Sequence, residues 1–266
     1  MKLTIPYPVR CAAFALILAG SCYVLGRGAL ELAETNPAVR AAVTEEPREA
    51  DPGSGAFDEA SRPRPLLVID PGHGGEDGGA SVAGILEKDV NLAVSMKAGD
   101  LCAVLGIPVL FTRTTDTLLY DAYGDLEDYR GKQKTYDLRN RLRMAEESGA
   151  AVFLSVHQNQ FPKAKYSGMQ VYYSPNDPGS AELAARIRQG GRMLLDPYNT
   201  RETKPATNAI YLLHRIGIPA VLAECGFLSN PDERELLSTP SYQTRVAAAL
   251  IVPTAEFLVR SARRGE

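Results

Sequence analysis

Leu66-Leu67-Val68-Ile69-Asp70-Pro71-Gly72-His73-Gly74-Gly75-Glu76-Asp77-Gly78-Gly79-Ala80 is the stretch whose reading decides the fold. Its apolar run is too short for a helix of its own and is bounded by turn residues, so it reads as a buried strand. The glycines beyond it let the backbone fold tightly and let a bulky ligand come close. His73 therefore stands at the carboxyl end of a strand, where open α/β sheets bind their ligands. Taken alone, a histidine in a flexible turn fits these residues equally well.

Outward from this stretch, strand and helix patterns alternate. Leu86 to Leu105 places Leu86, Val90, Leu92, Ala93, Met96, Leu101 and Val104 near helical spacing. Pro108 to Thr112 predicts a second strand, and a polar insertion rich in Tyr, Asp and Gly runs from Asp116 to Thr135. Asp137 to Glu146 reads as an amphipathic helix broken at Gly149, and Ala151 to Val156 as the strand that delivers His157. Gly168 to Tyr173 alternates as a further strand, and Ala181 to Leu195 reads as a helix. Ala209 to Leu213 and Ala220 to Ala223 read as two short strands. Tyr242 to Val259 closes the chain as a helix kinked or interrupted at Pro253. The fold expected is α/β: a single domain with a mostly parallel twisted sheet covered by helices on both faces.

Composition bounds the rest. A chain of 266 residues with 45% hydrophobic content can bury one good core and a small extra element. A net charge of −3 argues against nucleic acid as a partner, since phosphate-binding surfaces are basic. Cys11, Cys22, Cys102 and Cys225 contain no CxxC pair, which excludes a zinc ribbon and argues against a disulfide framework.

Lys2 and Arg10 precede the 16 uncharged residues Cys11 to Gly26, and Arg27 closes the run. Residues 1–27 therefore read as a signal peptide or N-terminal membrane anchor that exports the rest of the chain. No clean small-x-small cleavage site stands after the run, which favours a retained anchor. Residues 28–64 mix acidic side chains with Pro37, Pro47, Pro52 and Pro63 and lack apolar periodicity, the pattern of a solvated linker. The catalytic domain is expected over residues 65–262.

The chemistry lies in what the strand ends share. His73 follows the first strand, His157 the third, and Glu224 the last, while Glu87 opens the first helix 14 residues beyond His73. Two imidazoles and one carboxylate suit a catalytic zinc with an open position for water. The remaining carboxylate could take a proton from that water and return it to a leaving amine. Glu87 alone is equally explained as an acid favoured at a helix start. His214, beside Arg215, reads as an ordinary surface residue. A dinucleotide fingerprint starting at Gly72 needs glycine where Asp77 stands, and there is no phosphate loop, H-E-x-x-H helix or G-x-S-x-G elbow.

Four blocks carry a specific resemblance: Ile69 to Gly75, Glu87-Lys-Asp89, Ser155-Val-His-Gln-Asn159, and Pro219 to Asn230. In order and spacing they resemble the zinc-dependent N-acetylmuramoyl-L-alanine amidases of the Amidase_3 type. The resemblance implies that His73, Glu87 and His157 hold the zinc and that Glu224 is the catalytic carboxylate. It implies peptidoglycan as partner, cleaved at the amide between N-acetylmuramic acid and L-alanine. Asn159 matches a family position near the site and Arg139 one in the helix before the third strand, and both are expected at most as substrate or supporting contacts. Gln160 and Cys225 depart from the usual residues.

A narrower resemblance is to the single-domain, N-terminally anchored amidases of endospore formers (CwlD-type). It rests on the short hydrophobic start, the lack of wall-binding repeats and of a long site-blocking helical insertion, and Lys165-Tyr-Ser-Gly168. It implies removal of stem peptides on the way to muramic-δ-lactam in spore cortex, by an extracytoplasmic enzyme held at the membrane. A vegetative autolysin and a zinc peptidase are the alternatives, and the activating partner is left unidentified.

Overall fold

The structure, a computed structural model, describes residues 64–124 and 131–264. The expected anchor (1–27) and nearly all of the expected linker lie outside the described residues. Among the described residues no helix is long and apolar enough to cross a membrane.

The chain runs β1 (Leu67–Pro71), β2 (Ser81–Val82), β3 (Ile85–Leu86), α1 (Glu87–Leu105), β4 (Val109–Phe111), α2 (Gln133–Glu147) and β5 (Val152–Asn159). It continues through β6 (Gln170–Tyr173), α3 (Pro178–Leu194), β7 (Lys204–Pro205), α4 (Tyr211–Arg215), β8 (Ala220–Phe227), α5 (Pro231–Leu237) and α6 (Pro240–Arg264). Six strands form one sheet in the order β4-β1-β5-β8-β6-β7, and β2 and β3 pair as a separate hairpin. The first four strands of the sheet are mutually parallel. β6 runs antiparallel to β8, so the sheet is mostly parallel, as expected, with one reversal. The reversal stems from the β5–β6 connection: residues 160–169 contain no helix and are too short for the crossover that a parallel strand needs.

Strand alternation sorts the core into two layers. Leu67, Ile69, Val152, Leu154, Val156, Val221 and Ala223 face one way, against α1, α3, α5 and α6. Val68, Phe153, Ala220 and Leu222 face the other, against α2 and α4. The central strands are buried on both faces, which is why β1 reads as a continuous apolar run rather than an alternating one. Local signals set the helix ends. Asn230 caps α5 by accepting from the amides of Asp232 and Glu233, and Asp177 caps α3 by accepting from Gly179. Left-handed Gly106 closes α1.

Two expectations are corrected. Ala209 to Leu213 is not a strand: the chain turns there and enters the one-turn helix α4. Leu212, Leu213 and Ile216 bury together at helical spacing, a period that the shorter window hid. The closing helix is also not interrupted at Pro253 but runs on to Arg264. Proline deprives the Ala249 carbonyl of its amide partner. That oxygen lies against Gly190 of α3, where a Cβ would stand only 2.5 Å away.

Candidate metal centre and active site

The β1 turn is built by fixing three consecutive carbonyls. Arg113, just beyond β4, donates Nε to the Pro71 oxygen at 2.9 Å and Nη2 to that of Gly72 at 3.0 Å. Arg141 of α2 donates Nη1 to Pro71 at 2.9 Å and Nη2 to His73 at 2.7 Å. Asn91 of α1 donates to the Gly72 oxygen at 3.1 Å. Arg141 is buried and neutralised by Asp70 at 2.6 Å and Asp137 at 2.8 Å. Asp70 also accepts from Thr112 and Ser155. His73 is thereby held at φ 62°, a left-handed conformation that costs a non-glycine residue about 1–3 kcal/mol.

Held this way, the His73 ring presents Nδ1 to Asp77 Oδ2 at 2.9 Å and Nε2 to Glu87 Oε1 at 3.3 Å. Glu87 is the first residue of α1, and its Oε2 accepts from the Ala80 amide at 2.8 Å. Its Oε1 also lies 2.9 Å from His157 Nδ1. The imidazoles of His73 and His157 meet edge to face with centroids 4.9 Å apart. Glu224 on β8 is the register partner of His157 on β5. Gly72 and Gly79 leave room for this packing. A Cβ at Gly72 would come within 2.2 Å of His157 Nε2, and one at Gly79 within 2.5 Å of Glu87 Oε2.

Electrostatics separates the two glutamates. Burial disfavours charge on Glu87, but the two histidines outweigh it and hold its carboxyl well below the usual range. Burial also works against a charged His73, yet the Asp77 and Glu87 carboxylates raise it to about 9. Glu224 goes the other way: burial, with the Glu87 charge adding to it, pushes its carboxyl up to about 7. Its Oε2 is buried without a hydrogen-bond partner among the described residues.

These residues fit a divalent metal. Donor atoms of His73, Glu87 and His157 all lie within 4.8 Å of one another. Tetrahedral zinc with bonds of about 2.1 Å needs donors roughly 3.4 Å apart. The 3.3 and 2.9 Å separations to Glu87 are close to that edge. With Asp77 on Nδ1, Nε2 of His73 faces the cluster as a candidate donor, the carboxylate–histidine arrangement common behind a metal. The partnerless Glu224 oxygen beside them suits a proton acceptor.

The family model for N-acetylmuramoyl-L-alanine amidases (Amidase_3) matches residues 67–252. The chain belongs to that family. It is 37% identical over 185 residues to a germination-specific N-acetylmuramoyl-L-alanine amidase of Bacillus subtilis, covering 70% of this chain and 76% of the relative. Among solved structures it resembles the CwlD amidase of Clostridioides difficile, determined in complex with the GerS lipoprotein. That likeness has a TM-score of 0.68 and 36% identity, over 74% of this chain and 99% of that one. The amidase AmiC2 of Nostoc punctiforme also matches, with a TM-score of 0.61 and 27% identity over 76% and 99% of the two chains. The reaction is hydrolysis of the amide joining N-acetylmuramic acid to L-alanine in peptidoglycan.

The amidase fold gathers four of the six residues named from the sequence: His73, Glu87, His157 and Glu224 meet around the carboxyl ends of β1, β5 and β8. Asn159 ends β5 nearby, partly buried, with its carbonyl accepting from the Leu228 amide at 2.8 Å. Arg139 is not brought to the cluster. It is exposed on α2, with its guanidinium 5.3 Å from the Tyr136 ring. Arg141, two residues on, is the one that reaches the His73 turn. Sequence reasoning missed Arg141, Arg113, Asn91 and Asp77. The available signals were the Asp137–Arg141 spacing of four, an aspartate inside the apolar β1 run, and Asp77 four residues after His73.

Proposed function

We propose that His73, Glu87 and His157 hold a zinc ion and that Glu224 is the general base of the amidase. One observation carries this reading: three donor atoms converge beside a buried carboxylate oxygen that has no partner among the described residues. When bound, the ion supplies Lewis-acid polarisation of the substrate carbonyl and acidifies water. Glu224, its carboxyl pushed up to about 7, accepts a proton at Oε2 and delivers it to the departing L-alanine amine. Asp77 holds the His73 tautomer, and the β1 turn keeps the ring aimed.

The proposed setting is spore cortex, where removing stem peptides precedes formation of muramic-δ-lactam. The germination-specific relative supports this setting. Residues 1–27 would anchor the enzyme outside the cytoplasm, 28–64 would act as linker, and 65–262 as the catalytic domain. A protein partner is proposed as well, on the analogy of the GerS complex of the C. difficile enzyme.

The test is Glu224→Gln, assayed for metal content and muropeptide turnover together. Zinc retained with turnover reduced by about 100-fold or more supports a general base. Lost zinc would make Glu224 a ligand and redraw the site. Cleavage between amino acids with the muramoyl–alanine bond left intact would favour a peptidase. Lactam retained in spores lacking the gene would favour the vegetative autolysin.

A further inference from the structure

Beyond the histidines, the same end of the sheet carries a second constellation. Phe227 closes β8 three residues after Glu224 and pairs in register with Asn159. The Arg201 guanidinium lies 4.6 Å from the centroid of the Phe227 ring and 5.9 Å from that of Tyr166. Tyr166 meets the exposed Phe161 edge to face at 4.8 Å, and the Lys165 ammonium stands 5.8 Å from the Tyr166 ring.

Arg201 is held in place before any ligand arrives. Its Nε donates to the Ser167 oxygen at 2.8 Å, and its amide donates to Asn199 Oδ1 at 3.0 Å. Asn199 is buried and donates in turn to the Met169 oxygen at 2.8 Å. The nearby acids hold other donors, although the Arg201 charge acts on the Glu233 carboxyl. Glu233 accepts from the amides of Gly168 and Phe227, and Glu202 pairs with Arg188. Both terminal nitrogens of Arg201 therefore lack a hydrogen-bond or ion-pair partner among the described residues. Tyr172 of β6 pairs in register with Leu222 on β8, two residues before Glu224.

A stacked guanidinium with its fork open recognises planar anions, carboxylates above all. The stem peptide of peptidoglycan carries free carboxylates close to the scissile bond. We propose that Arg201, seated on Phe227 and Tyr166 with Lys165 beside it, receives a carboxylate of the stem peptide and makes the enzyme selective for acidic over amidated peptides. The inference rests on the amidase reading above and names the part of the substrate read.

The experiment uses two purified muramoyl-L-alanyl-peptides that differ only in whether the second residue bears its free carboxylate or the carboxamide. The wild-type enzyme is expected to favour the acid in kcat/KM by about 10- to 100-fold, the worth of one charge-assisted hydrogen bond. Arg201→Gln should bring that ratio close to one, and Arg201→Lys should restore part of it. A wild-type ratio near one overturns the proposal. So does Arg201→Gln lowering both substrates together with the ratio kept, which is the mark of a purely structural arginine. If neither substrate is cleaved by the wild type, the amidase assignment has failed instead, and the two failures are distinct.

Discussion

Replacing Gly72 by alanine isolates the geometry of the centre from its chemistry. The substitution adds one methyl group, removes no ligand and changes no charge. Gly72 does not occupy the left-handed region, so alanine meets no backbone penalty there. What the methyl meets is the His157 ring, at 2.2 Å from Nε2 and 2.3 Å from Cε1. Ordinary contact begins near 3.4 Å, so 3.4 less 2.2 leaves about 1.2 Å of required movement. The Gly72 backbone cannot supply it. Its carbonyl is gripped by Arg113 and Asn91, and its amide donates to the Val156 oxygen at 3.0 Å. The imidazole must therefore move, and metal–ligand distances tolerate only about 0.2 Å. The expected outcome is zinc affinity reduced at least about tenfold and kcat/KM reduced by about 100-fold, the usual cost of a 1 Å misplacement. Zinc per chain after dialysis against graded chelator and turnover of purified muropeptide are the readouts, with circular dichroism to show the fold intact. Gly217→Ala is the control, since a Cβ there has nothing within 4 Å. A folded Gly72→Ala enzyme with wild-type zinc affinity and turnover would refute the packing argument and the ligand role of His157 with it.

Asp77→Ala should lower zinc affinity by about 10- to 100-fold, because His73 loses the acceptor on Nδ1, and Asp77→Asn should recover part of this. Chelator competition measures it, and equal affinities for all three proteins would leave Asp77 without a positioning role. Asp70 offers a test of stability instead. Burial works against its charge, but Arg141, Ser155 and Thr112 prevail and hold its carboxyl below the ordinary value of 3.8. A depressed carboxyl contributes stability that is present above pH 3.8 and lost as pH falls through the lower folded value. Asp70→Asn should cost about 3 kcal/mol near neutrality, since Arg141 stays buried with a partner removed. It should also flatten the acid limb of stability in urea titrations at graded pH; an unchanged limb would assign that dependence to other carboxylates.

How far the sequence could be read depended on whether a residue's role was local. β1, β5 and β8 were legible because strands buried on both faces show as apolar runs, and a polar residue at the end of such a run stands out. His73, His157 and Glu224 are of that kind; His73 follows β1, while β5 and β8 run on past His157 and Glu224 to Asn159 and Phe227. Glu87 was ambiguous because an acid at a helix start has a sufficient reason in the helix dipole. Its side chain lies between two imidazoles only because the β2–β3 hairpin returns the chain to the sheet, and strands of two residues leave almost no pattern. Choosing Arg139 over Arg141 fails for a related reason. α2 turns polar residues inward, burying the charged Asp137 and Arg141 with Asn140, so its polar face is not its solvent face. The antiparallel β6 and the helical α4 depended on connection length and on a partner layer, neither of which a window of residues contains.

The inward charges of α2 also bear on how the centre is kept in shape. A buried Asp70–Arg141–Asp137 set is weak as a source of stability, because desolvation offsets much of the attraction. Its placement points to another use: Arg141 spends its remaining donors on the carbonyls of Pro71 and His73, and Arg113 on those of Pro71 and Gly72. The β4 end and α2 thus contribute cations to the same three-residue turn, and α1 adds Asn91. A left-handed histidine persists only where its surroundings over-determine it. Here five hydrogen bonds from three places in the chain do so, and in the turn they hold, the ring presents Nδ1 to Asp77 and Nε2 to Glu87. The aim of the first imidazole is therefore set by the packing of the sheet edge, and a substitution that loosens Arg141 should disorder the centre without touching a ligand.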